Sequence, residues 1–189
     1  MKNLRLKNLK LLKKNHIYSE NQEHDACGVG LVASTKGKKS RKVVEYAIEA
    51  LKAVWHRGAV DADGKTGDGA GIHIEIPYDF FVEKIETKGH KHDDSEICIG
   101  MVFLPRDNFN AQENCKTIFE KELTNSNFKI YGWRQVPINT KVLGEKANNN
   151  RPEITQVLFK CNDKKLVDKK LERKLYEIRR KVEKETIKN

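Results

Sequence analysis

The stretch "EHDACGVGLVAS", Glu23–Ser34, joins two kinds of chain. Before it lies a polar, basic leader spotted with leucines; from Cys27 onward small residues open into an apolar run. Alternation from Cys27 to Ser34 puts Val29, Leu31 and Ala33 on one face, which predicts a buried strand. Gly28 permits close backbone approach at the start of that strand, and Gly30 leaves room on its face. A thiol at this position has two readings. Cys27 is either a small buried hydrophobe or a nucleophile released by cleavage of the Ala26–Cys27 bond. A free thiol titrates near ~8.5 and an α-amine near ~7.7–8.0. One residue would then hold both the attacking sulfur and its base.

Outward from this stretch, "TKGKKS" reads as a turn and Arg41–Trp55 as a helix, with Val44, Ala47, Ile48 and Leu51 at helical spacing. The glycine-rich "HRGAVDADGKTGDG" is a loop, and "AGIHIEIP" alternates as a strand. A short helix is expected over Phe80–Ile85, a surface loop at "HKHDDSE", and a buried strand at "EICIGMVFLP". Then come a helix over Ala111–Leu123, a strand at "FKIYGWRQVP", a connection through "TKVLGEKANNNRP", and a strand at "EITQVLFKC". A long helix closes the chain, with Leu171, Leu175, Ile178 and Val182 in one packing stripe. Strands and helices in this order predict an α/β protein whose sheet is covered by helices.

The 189 residues are the length of one domain with tails. The net charge of +10 sits mostly at the ends: residues 1–14 carry six Lys/Arg and no acid, and residues 164–189 carry eleven against five Asp/Glu. Such a balance suits an anionic partner. Neither end, however, shows a zinc-finger, RNA-recognition or helix-turn-helix signature, and Tyr176 is the only aromatic in the tail. A basic adaptor or nucleic-acid-binding module without catalysis is therefore the alternative reading, and no nucleic-acid partner is expected. Cys27, Cys98, Cys115 and Cys161 contain no C-x-x-C pair, so no zinc or thioredoxin-like site is expected. Cys98 lies in an apolar run and reads as core. His90, His92, Asp93 and Asp94 have metal-ligand residue types but fall in a polar stretch that reads as solvated, so no metal site is expected. No apolar run is long enough to span a membrane, and the leader lacks the continuous apolar core of a secretory signal. A cytoplasmic location and no membrane partner are the expectation.

The loop opened by His56-Arg57-Gly58 carries Gly64, Gly67, Gly69 and Gly71. It does not sit between a strand and a helix, so a phosphate-cradling reading fails on context. It reads instead as a loop packed over a strand end, with Arg57 aimed at a carboxylate or held in a structural ion pair.

Cys-Gly-Val-Gly after a leader, then a helix and His-Arg-Gly, resembles the class II, N-terminal-nucleophile glutamine amidotransferases. The longer stretches "EHDACGVGLVA", "HRGAVDADGKTGDGAGI" and "GWRQVPINTKVLG" resemble the opening of the glutamate synthase large-subunit family, and "RPEITQVLF" and "LERKLYEIRRKVE" fit the same region. The resemblance implies an Ntn-hydrolase-like four-layer αββα sandwich, incomplete at the C-terminal side. It implies residues 1–26 as propeptide and 27–189 as the N-terminal portion of the amidotransferase domain. Cys27 would attack the amide of L-glutamine, form a γ-glutamyl thioester and release ammonia for reductive amination of 2-oxoglutarate to glutamate. Arg57 would bind or support the substrate, and Asp68 with its glycines would shape the loop.

The family's Asn-Gly oxyanion pair and its Arg-Phe-Ser-Thr carboxylate-binding motif are both missing from this sequence. The chain is therefore expected to be a fragment, inactive alone. No cofactor is expected within it; FMN and an iron–sulfur cluster belong to the full-length protein. The implied partners are the remainder of the large subunit and a small subunit. NADPH, NADH and ferredoxin all remain open as electron donor.

Overall fold

Of the strands that apolar patterning predicts, three form. In the computed structural model, which describes residues 2–15, 28–55, 58–93 and 96–188, the order is α1 (Lys2–Lys14), α2 (Arg41–Ala53), α3 (Tyr78–Glu86), β1 (Cys98–Leu104), α4 (Phe109–Asn125), β2 (Phe128–Gln135), a 3₁₀ turn (Thr140–Val142), α5 (Glu145–Asn150), β3 (Glu153–Cys161) and α6 (Asp168–Lys188). The residues group into two compact units, Met1–Gly58 with Ala70–Ile72, and Ala59–Gly69 with His73–Asn189.

In the first unit the basic leader contributes a helix, α1, which composition alone did not announce. α2 begins where Ser40 accepts from the Lys42 N–H at 3.2 Å, satisfying one of the donors a helix start leaves free. It ends two residues earlier than expected, at Ala53, with Val54 as its cap. Its Val44, Ala47, Ile48 and Leu51 are half-buried. Of the strand expected over 27–34 the structure describes residues 28–34, which pair with no described strand, and Val29 and Leu31 are 95% and 91% exposed. The "AGIHIEIP" strand also fails to form, and Ile72, Ile74 and Ile76 stay exposed. Alternation marks a chain able to bury one face. A strand additionally needs a neighbour for its backbone donors and acceptors, and no described segment supplies one.

The second unit is built on a three-stranded antiparallel sheet, order β1-β3-β2. The central strand β3 is buried on both sides, and its alternation sends residues to two cores. Val157 and Phe159 join Cys98, Phe128, Leu123 of α4, and Leu171, Ile178 and Val182 of α6 on one face. Leu158 joins Ile97, Tyr131, and Phe81 and Ile85 of α3 on the other. The predicted α6 stripe is thus a packing face, and Cys98 is core. β1 differs from the fully buried strand expected, because α3 covers only the Ile97–Ile99 end of its face. Met101 and Phe103, farther along, are 51% and 63% exposed.

β2 carries a bulge: Ile130 pairs with Phe159 and Gly132 with Leu158, leaving Tyr131 between them. Gly132 has φ 129°, a conformation that side chains disfavour. The bulge turns Tyr131 toward α3 while Trp133 remains on the α4–α6 side, where its Nε1–H donates to Glu120 at 2.6 Å. The observed architecture is α/β with one small antiparallel sheet. Among the described residues no helix is long and apolar enough to cross a membrane.

Candidate functional site

The two residues on which catalysis would turn, Cys27 and Arg57, lie outside the described residues, as do His16, His24, His56 and Asp94. What is described is the chain that leaves them. After α2, the Gly58 N–H donates to the Trp55 carbonyl at 2.9 Å. The next residue, Ala59, begins a loop that closes on itself at Asp68. The Ala59 N–H donates to Asp68 Oδ2 at 2.8 Å, and the Asp68 N–H donates back to the Ala59 carbonyl at 3.2 Å. Inside that base, Val60 bridges Gly67 and the Asp61 N–H reaches the Thr66 carbonyl at 2.7 Å. Asp68 therefore shapes the loop by holding its two ends together.

The loop's tip is organised by Asp63. Its Oδ1 accepts from the N–H groups of Lys65 (2.9 Å) and Thr66 (2.7 Å), and its Oδ2 accepts from the Thr66 hydroxyl at 2.6 Å. The Thr66 hydroxyl, the loop amides and the Glu145 N–H together lower the Asp63 carboxyl from 3.8 to about 2. Hydrogen bonds to the charged form stabilise that form. The Glu145 N–H belongs to the first turn of α5, so the loop tip and the start of α5 meet. Gly144, the α5 N-cap, is where they touch. A Cβ built there would fall 2.1 Å from Thr66 Oγ1, 2.3 Å from Asp63 Oδ2 and 2.6 Å from the Thr66 nitrogen. Gly144 has φ −70° and ψ 161°, open to any residue, so space and not conformation calls for glycine. Lys146 adds an ion pair to Asp61 at 2.6 Å.

Sequence reasoning missed this junction. Its local half was readable, since Asp-x-x-Thr with a glycine between is a turn in which a carboxylate accepts from backbone amides two and three residues on. Its distant half, Gly144, was not. All three loop carboxylates are engaged as structural acceptors, a use different from general acid or base chemistry.

The "HKHDD" stretch is less solvated than expected. His92 Nε2 hydrogen-bonds with the Tyr78 hydroxyl at 2.6 Å and its Nδ1 with the Tyr131 hydroxyl at 3.3 Å, so the ring ties α3 to the bulge of β2. Asp93 pairs with Lys160. Among the described residues no group of three or more His, Cys, Asp or Glu side chains is gathered in a metal-holding arrangement. Burial pushes the Cys98 thiol up to about 12, with Glu96 contributing. Cys98 is thus a neutral core residue, packed with Val157, Phe159 and Leu171.

Comparison with known proteins bears on the whole chain. Residues 27–189 match the family model "Glutamine amidotransferases class-II". The chain is 55% identical over 167 residues to the glutamate synthase [NADPH] large chain of Azospirillum brasilense, covering 88% of this chain and 11% of that protein. It is 37% identical over 176 residues to the ferredoxin-dependent glutamate synthase of Pyropia yezoensis, covering 93% and 11%. Against the glutamate synthase [NADH] of Saccharomyces cerevisiae it is 38% identical over 151 residues, covering 77% and 7%. The chain thus spans about a tenth or less of the length of these relatives. With the family match running unbroken from Cys27 across the loop, α5 and the sheet, this chain belongs to the class-II glutamine amidotransferase family.

Proposed function

We propose that this chain is the glutaminase portion of a glutamate synthase, with Cys27 as nucleophile and residues 1–26 as a propeptide removed to expose it. The observation that carries the reading is the family match, whose first residue is Cys27 itself. With Cys27 at the mature N-terminus, its α-amine takes the thiol proton and the thiolate attacks the side-chain amide carbon of L-glutamine. The tetrahedral adduct collapses by breaking the C–N bond; the protonated amine returns its proton to the leaving nitrogen, and ammonia departs. Water, deprotonated by the same amine, cleaves the resulting γ-glutamyl thioester to glutamate and restores the thiol. Arg57 supports the substrate through its guanidinium, whose planar fork matches a carboxylate.

The ammonia would serve reductive amination of 2-oxoglutarate elsewhere in the complete protein, where FMN and an iron–sulfur cluster supply the electrons. No step assigned to this chain passes through either group. The relatives' names carry NADPH, NADH and ferredoxin, yet this stretch is alike in all of them, so the choice of donor belongs to other regions. The remainder of the large subunit and a small subunit are the partners this reading implies. A four-layer αββα arrangement is supported by apolar side chains that the single sheet leaves bare, Val29, Leu31, Ile72, Ile74, Met101 and Phe103.

The test uses the complete natural polypeptide. Its mature N-terminus, read by mass spectrometry, is expected at Cys27, and it should hydrolyse L-glutamine to glutamate and ammonia. Cys27→Ala should abolish hydrolysis. Activity that survives this substitution would refute the assignment.

A further inference from the structure

α6 packs on the sheet unit with one stripe and carries a second stripe on its opposite side. Leu171, Ile178 and Val182 are buried, and Leu175 packs against them. On the other side, at i, i+4, i+7, i+11 and i+18, stand Lys169, Arg173, Tyr176, Arg180 and Ile187. Tyr176 and Ile187 are 56% and 87% exposed, although a helix turned to water carries polar groups on that side. The Arg179 guanidinium lies over the Tyr176 ring, 5.2 Å from its centroid. Arg173 Nε meets Glu177 and Arg179 Nε meets Glu183, each at 3.4 Å, and Arg180 pairs with Glu183 as well. These pairs engage one nitrogen of each guanidinium and leave the rest of the planar fork to a second carboxylate. Over its length α6 has nine Lys/Arg against five Asp/Glu.

We infer that this outward stripe of α6 is an interaction surface, and that its partner is an acidic surface of the remaining polypeptide of the same large subunit, with an apolar recess for Tyr176. The inference rests on the reading of this chain as a portion of a glutamate synthase. On that reading most of the polypeptide lies outside these residues, since the chain spans 11% of the Azospirillum brasilense relative. Tyr and Arg are among the side chains that most often anchor protein interfaces. The Arg179–Tyr176 stack holds two of them in place before contact, which lowers the ordering cost of binding. A second copy is a poorer partner: each chain has a net charge of +10, and two copies of one basic stripe repel. A nucleic acid is poorer too, because Glu177 and Glu183 would stand among its phosphates.

The experiment uses the complete natural polypeptide, whose intact mass is read first. A mass of 21.8 kDa would overturn both the reading as a portion and the surface that rests on it. Hydroxyl-radical footprinting then compares Tyr176 oxidation in the wild type and in the double variant Arg173→Glu/Arg180→Glu. Both positions are exposed, so the variant keeps the buried stripe of α6. Like charges set against the acidic partner should undock the helix, and Tyr176 should oxidise about fivefold faster or more in the variant. The milder Arg173→Gln/Arg180→Gln should give an intermediate rate. In the wild type, carbodiimide should join an α6 lysine such as Lys169 to an Asp or Glu of the same polypeptide outside residues 1–189. Equal Tyr176 oxidation in wild type and both variants overturns the proposal, as does protection without such a link. So do links to a second copy, recognised in a mixture of isotope-labelled and unlabelled chains, and protection that nuclease treatment removes. A Cys27→Ala protein that still hydrolyses glutamine overturns the glutaminase assignment alone and leaves these readouts in place.

Discussion

Leu158 sits at the middle of the central strand with no exposed surface, facing Phe81 and Ile85 of α3. Leu158→Ala removes three side-chain carbons from that site. At about 0.8 kcal/mol per buried methylene the transfer loss is about 2.4 kcal/mol. If neighbours close in only partly and leave a cavity of ~50 Å³, roughly 24 cal/mol per Å³ adds about 1.2 kcal/mol. The expected destabilisation is therefore about 3–4 kcal/mol. For a unit of this length, that lowers Tm by roughly 10–15 °C. The contrasting change is Met101→Ala, on the same face of the sheet but 51% exposed, beyond the part α3 covers. It should cost no more than about 0.5 kcal/mol, the usual span of surface substitutions. Urea unfolding of both variants, followed by Trp fluorescence and circular dichroism, gives the two values. A loss below about 1 kcal/mol for Leu158→Ala, or equal losses for the two variants, would refute the packing of α3 on β3.

Asp63 and Cys98 predict opposite limbs of the pH profile. The folded-state pKa of Asp63 is lowered to about 2, so its contribution is present above the unfolded value of 3.8 and lost as pH falls through about 2. NMR should show the Thr66 amide resonance moving in that window, and Asp63→Asn should remove the movement. Cys98, an acid whose pKa is raised from 9.0 to about 12, works the other way. Above pH 9 the unfolded thiol ionises while the folded one stays neutral, so stability falls as pH rises from 9 toward 12. Thermal melts of Cys98→Ala should lack this alkaline loss; an identical alkaline limb in both proteins would refute the assignment.

Local chemistry made much of the helical framework legible. Ser40 and Asn108 cap α2 and α4 as short polar side chains at helix starts do, and the Leu171–Ile178–Val182 stripe became a buried face. "EITQVLFKC" also read correctly, because a strand buried on both sides is apolar on both parities. The same patterning misled at residues 28–34 and 70–77, where alternation was present but the described residues offer no pairing partner. The family, too, was legible, because its motifs are contiguous runs of residues.

What the sequence determined about this protein is what adjacent residues settle among themselves: helix starts, apolar stripes, the Asp63–Thr66 turn and the family motifs. Tertiary structure decided everything that needs a second segment. It turned Tyr131 out through the Gly132 bulge onto His92, and it gave Asp63 and Thr66 the space that Gly144 leaves open. The reason is physical. A helix satisfies its backbone within its own span, whereas a strand pairing or a contact between distant segments gains its energy only after a long loop has closed, and no local pattern records where that loop ends.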